Sequence, residues 1–254
     1  NRVDVALEAA TRLGGVVKLP VLGRSIYWIS EPSAIRRIML QNSENYAKGE
    51  DYRALALLLG EGLLTANDET WKRDRLLLHP LLLPEKVTAF APEMRRCVER
   101  MTRDWTARCA QDGGSTELSM EPEMIRLTLE IIGHWCFGRD VSPKVTEISA
   151  LFNTAQARII ERSMSWIDWA RWIVTPRERR FRGQLARLHR IVEELIQDTD
   201  SSFEGPISLL QRAGRSKTEI RDQLMTFLLA GHETSAVSLT WAFYLLAQKP
   251  VVAS

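Results

Sequence analysis

One segment near the end of this chain constrains its fold more than any other. Ser216-Lys217-Thr218-Glu219 has the spacing of a capping box, in which serine and glutamate side chains satisfy the N–H groups that a helix start leaves open. Helix-compatible sequence then runs to about Gln248, ahead of Pro250, over more than thirty residues. Globular helices average roughly 10–14 residues, so this one is expected to cross an entire domain. From Leu224 to Ala247 it is apolar almost throughout, yet His232, Glu233 and Thr234 stand near the middle. Those groups make a lone membrane span costly and point to a helix buried in a protein core.

The rest of the sequence supports a folded domain of ordinary charge. With 254 residues, 45% of them hydrophobic, the chain can bury a substantial core. Its 34 basic and 32 acidic residues leave a formal charge of +2, without the strong field expected of a nucleic-acid binder. Cys97, Cys109 and Cys136 are odd in number, form no C-x-x-C pair and lie in helical sequence. Reduced, buried thiols are expected, and neither a disulfide framework nor a zinc site. Such thiols fit a cytoplasmic location, and the opening Asn1-Arg2-Val3-Asp4-Val5 has no signal core or targeting pattern, so either the protein is soluble or its leader lies outside this sequence.

Val16 to Leu19 and Ser25 to Ile29, separated by Pro20 and Gly23, are expected to form a small hairpin. Helix signals follow over Ser33 to Leu40, Glu69 to Leu78, Glu85 to Ala110, Glu121 to Phe137, Lys144 to Arg162 and Arg177 to Asp198. The fold class is therefore mainly α, with a small β-sheet near the N-terminus. Trp166, Trp169 and Trp172 share a helical face, which core packing explains. Arg177, Arg179, Arg180 and Arg182 read as a solvated face.

The polar interruption of the long helix needs a physical reason. Gly231 costs about 1 kcal/mol relative to alanine inside a helix, and buried polar groups cost more unless paired. The Thr234 hydroxyl can reach back to the carbonyl of Ala230 or Gly231. With no side chain at Gly231, a groove for a flat cofactor or a diatomic ligand would open there, with Glu233 as an adjacent ionisable group. The plainer alternative is a helix whose threonine bonds its own backbone while His232 and Glu233 face solvent.

A second constellation is Trp71-Lys72-Arg73-Asp74-Arg75, in which Trp71 and Arg75 share one helix face. An indole N–H and a guanidinium are both donors only, which suits a carboxylate. A surface stack of guanidinium over indole is the simpler reading.

Ala230-Gly231-His232-Glu233-Thr234-Ser235 resembles the A-G-x-[ED]-T-[ST] signature on the long distal helix of the cytochromes P-450. Gly62-Leu63-Leu64-Thr65-Ala66, followed by Trp71, Arg75 and His79-Pro80, resembles their W-x-x-x-R helix. The order and separation of the two motifs match, and Leu127 to Val141 and Arg177 to Ile196 are also similar. The resemblance spans nearly all of residues 1–254, which would form one partial P-450 domain. Leu81 and Leu82 depart from it, standing where an aromatic residue commonly follows the His-Pro pair.

The resemblance implies a haem-dependent monooxygenase that inserts one atom of O2 into a small apolar substrate. Electrons would come from a redox partner, a ferredoxin or a flavoprotein reductase. Trp71 and Arg75 would hydrogen-bond the haem propionates, and Ala230 and Gly231 would flank the oxygen pocket. Thr234 would stabilise bound dioxygen and help deliver protons, with Glu233 as the acidic member of that relay. The tryptophan-rich region resembles a lid over the substrate channel.

The family's F-x-x-G-x-x-x-C loop, whose thiolate holds the iron, has no counterpart here, nor has its E-x-x-R pair. No metal ligand is assigned to Cys97, Cys109 or Cys136. The chain reads as the N-terminal portion of such an enzyme, inactive by itself. A non-catalytic helical binding protein derived from the same fold is the alternative, and Thr234 with Glu233 argues against a peroxide-driven variant.

Overall fold

The computed structural model describes residues 2–21, 24–49, 51–164, 175–200 and 202–249. The chain divides into two compact units, Asn1–Gly49 and Glu50–Ser254.

In the first unit, helix α1 (Arg2–Leu13) ends at Gly14, whose φ of +102° lets its N–H reach the Ala10 carbonyl. Strands β1 (Val16–Val21) and β2 (Arg24–Ile29) pair antiparallel, from Val16↔Ile29 to Val21↔Arg24. The expected hairpin is present and longer than its sequence signal. Pro20 falls within β1, which a two-stranded ribbon tolerates because both strands are edges. The helix expected over Ser33 to Leu40 instead forms α2 (Pro32–Arg36) and a π-turn over Arg37–Gln41, closed by the Asn42 N–H on the Arg37 carbonyl.

The second unit contains α3 (Asp51–Leu59), α4 (Asp68–Leu78), a 3-10 turn over His79–Leu82, α5 (Pro84–Gln111), α6 (Met120–Phe137), α7 (Ser142–Met164), α8 (Pro176–Gln197), α9 (Pro206–Arg212) and α10 (Lys217–Ala247). The long helices agree with the expected spans to within two residues at each end. Helices α1, α3 and α9 were not expected. Trp166, Trp169 and Trp172 lie outside the described residues.

α10 packs most extensively on α6, and α7 and α8 complete the core. Leu129 and Phe137 of α6, Phe152 of α7, Leu188 and Ile191 of α8, and Leu224 and Leu228 of α10 are all essentially inaccessible. Each such side chain contributes roughly 1.5–3 kcal/mol on leaving water. The cap of α10 is the expected one: Ser216 Oγ accepts the Glu219 N–H at 3.2 Å, and Glu219 Oε2 accepts the Ser216 N–H at 2.9 Å. Among the described residues no helix is long and apolar enough to cross a membrane.

Candidate functional site

α10 changes character at its polar interruption. Asp222 to Leu229 are all buried, whereas from Val237 to Lys249 only Thr240 is not exposed. Around the transition, neighbouring residues take different faces. Ala230, Thr234, Val237 and Trp241, spaced i, i+4, i+7 and i+11, form an exposed stripe. Gly231 is turned partly toward α6, where a Cβ would stand 2.7 Å from Ile132 Cγ1. Ile132 thus occupies the space expected to open as a groove.

His232 turns fully inward, 2% exposed, with its ring 5.3 Å from that of Phe152. Its Nδ1 donates to the Leu228 carbonyl at 2.5 Å, since a carbonyl can only accept. Burial pushes the imidazole pKa below its ordinary 6.5, opposed by that hydrogen bond and by the charge of Glu233. The Thr128 hydroxyl of α6 donates to the His232 carbonyl at 2.8 Å and so ties this turn to the core. The solvent-facing alternative for His232 is therefore not what the fold adopts.

The Thr234 hydroxyl donates to the Ala230 carbonyl at 2.8 Å, the back-bond that the spacing allows. Glu233 is exposed, and its Oε2 accepts Gln156 Nε2 of α7 at 2.5 Å. The threonine and glutamate are thus adjacent on the open side of the helix, each with one local partner.

On α4, Trp71 is 39% exposed and Arg75 is exposed. Neither side chain forms a hydrogen bond, ion pair or ring stack among the described residues, so the expected surface stack of the two is absent. Most neighbouring arginines are paired: Arg73 with Asp74 and Glu219, Arg215 with Asp74, Arg221 with Glu193 and Asp222. Two donors on one face are therefore left unspent.

A buried polar link ties the helices of the two constellations together. Gln223 of α10 donates through Nε2 to Asp74 Oδ2 at 2.9 Å, and its Oε1 accepts the Leu63 N–H at 2.9 Å. The Glu61 N–H donates to Asp222 Oδ2 at 3.1 Å. Gly60 and Gly62 permit this close approach: a Cβ on Gly62 would lie 2.1 Å from Thr226 Oγ1 and 2.4 Å from the Asp222 carbonyl oxygen. From Gln223 to Ala230 is about 10 Å along the helix.

A family model described as Cytochrome P450 matches residues 2–254. The chain belongs to the cytochrome P450 family. It is 32% identical to cytochrome P450 97B1, chloroplastic, of Pisum sativum over 93% of this chain and 49% of that protein. It is 29% identical to cyclooctatin synthase of Streptomyces melanosporofaciens over 93% of this chain and 53% of that protein. The crystal structure of the cytochrome P450DA haem domain aligns with a TM-score of 0.77 at 20% identity, covering 99% of this chain and 56% of that one, a likeness of fold. The chain spans about half the length of the curated relatives it matches.

Membership of the cytochrome P450 family implies haem. The unspent donors of Trp71 and Arg75 fit a carboxylate-bearing group, and the exposed apolar stripe on α10 fits a flat apolar one. The iron of such a group needs one axial thiolate, and the environments of the cysteines in this cytochrome P450 bear on that. Cys97 and Cys136 are buried and burial pushes both thiols up, opposite to what a thiolate ligand requires. Cys109 is half-buried on α5.

Proposed function

We propose that this chain supplies the distal wall and propionate clamp of a haem-dependent monooxygenase acting on a small apolar molecule, with O2 and a ferredoxin or flavoprotein reductase as co-reactants. The carrying observation is the pair of unpaired, exposed donors Trp71 and Arg75 on a helix tied to α10, whose exposed stripe bears Thr234. Haem, when bound, would supply the oxygen-activating redox chemistry, with its thiolate ligand coming from outside these residues.

The chain's own residues then have distinct tasks. Trp71 and Arg75 would donate to the propionate carboxylates, which fixes the orientation of the ring. Thr234 holds its proton on the Ala230 carbonyl and can rotate to donate toward the open side, a one-bond exchange. Glu233 would resupply that proton, a reading supported by its exposure to solvent and its hydrogen bond from Gln156. Val237 and Trp241 extend the stripe as an exposed apolar surface that, once covered by the cofactor, would exclude water. Alone, the chain leaves this surface open, which is why we propose that it is inactive by itself.

The test is spectroscopic. Haem titrated into the chain should produce a Soret band that weakens in Arg75→Ala. No band would favour the non-catalytic helical binding protein instead. Absence of both a cysteine-loop and an E-x-x-R motif in the coding sequence past Ser254 would refute the monooxygenase reading.

A further inference from the structure

We propose that Asp74 is a positioning residue that aims the Trp71 and Arg75 donors, by locking the rotation of α4 against the start of α10. The proposal rests on the reading of those two side chains as a propionate clamp.

Asp74 is 2% exposed on a helix whose other side chains, Leu78 apart, are not fully buried. Its Oδ1 accepts Arg73 Nε at 2.9 Å and Arg215 Nη2 at 3.0 Å, and its Oδ2 accepts Gln223 Nε2 at 2.9 Å. Glu219 accepts Arg73 Nη2 at 3.2 Å while also capping α10 through the Ser216 N–H. One knot thus joins α4, the loop after α3 and the cap of α10.

A buried carboxylate is costly unless it is fully paired, and an apolar residue could have docked α4 as Leu78 does one turn later. What the carboxylate adds is direction. Apolar contacts fix how deep a helix lies but resist rolling weakly, whereas hydrogen bonds lose strength steeply as their angles open. A roll of about 10° moves a group about 5 Å from the helix axis by about 1 Å, enough to misalign a hydrogen bond. Asp74 lies between Trp71 and Arg75 in the chain, so any roll it prevents would have carried both donors together.

The test compares haem with haem dimethyl ester, which lacks propionate charge, by Soret titration of the chain. The unaltered chain should prefer haem about tenfold, and Arg75→Ala should bring the ratio near one with the ester's affinity unchanged. Asp74→Asn should lower the ratio by about threefold or more while ester affinity and helical circular dichroism are kept, with no further effect in Arg75→Ala. Gln223→Leu keeps both arginines on Asp74 and should lower the ratio less; if Asp74→Asn does not fold, this variant decides by the same measure. An unchanged ratio, or equal loss for both haems, overturns the positioning role and leaves the clamp standing. A ratio near one in the unaltered chain, or no haem binding, overturns the clamp and the proposal with it.

Discussion

Gly231→Ala should destabilise the cofactor-free chain although alanine is the better helix former. In an open helix the substitution gains about 1 kcal/mol from reduced backbone freedom in the unfolded state. Here the new methyl would stand 2.7 Å from Ile132 Cγ1, 2.9 Å from Cδ1 and 3.2 Å from Cβ. Two of these distances are shorter than real Cβ contacts allow, so α6 and α10 must separate or Ile132 must leave its rotamer. Overpacking of this kind typically costs about 1–3 kcal/mol, which leaves a net loss of about 1 kcal/mol. Removing Cγ1 and Cδ1 with Ile132→Ala should reverse the sign, so that Gly231→Ala becomes stabilising by about 0.5–1 kcal/mol in that background. Urea midpoints of the four chains without haem would measure this cycle. Stabilisation by Gly231→Ala in the otherwise unaltered chain would refute the packing role and leave Gly231 to the oxygen pocket alone.

Two further outcomes follow from particular contacts. Because burial lowers the His232 pKa below 6.5, the unfolded chain takes up this proton first. The stability due to neutral His232 is complete above pH 6.5 and is lost as the pH falls through the lowered folded value. His232→Gln should flatten the fall of urea midpoints below that pH, and an unchanged slope would count against it. Gly62→Ala should cost more than about 3 kcal/mol, since its Cβ would meet the backbone of α10 at Asp222, whereas Gly183→Ala on α8, with open space around it, should gain about 1 kcal/mol. Thermal melts of the two variants that shift by the same amount would contradict this.

The helices were legible where caps and apolar periodicity agree, as at Ser216 with Glu219, whereas the cap that Thr175 gives the Glu178 N–H was not read. α3 and α9 were missed because nine and seven residues offer little periodicity. Trp71, Arg75, Ala230, Glu233 and Thr234 stood out in the sequence through the resemblance of their motifs, where spacing alone favoured plainer structural readings. Asp74 was not, since its partner Gln223 lies 149 residues away, and Thr128 stands 104 residues from the His232 carbonyl it holds. One local sign was available. Asp222, Gln223 and Thr226 are as out of place in an apolar helix as His232 and Glu233, and polar groups that remain in a core need partners.

The motif at Ala230 to Ser235 is therefore two sets of residues interleaved on one helical turn. Gly231 and His232 face α6 and α7, where Ile132, the Thr128 hydroxyl and the Phe152 ring hold them. Ala230 and Thr234 face the open stripe. The division has a mechanical consequence under the proposed function, because a hydroxyl that would turn between the Ala230 carbonyl and a bound ligand needs a backbone that stays still while it does so. Three inward contacts within one turn provide that stillness from the side of the helix opposite Thr234. Inward substitutions should then appear first in the stability of the cofactor-free chain, and outward ones first in what the chain binds.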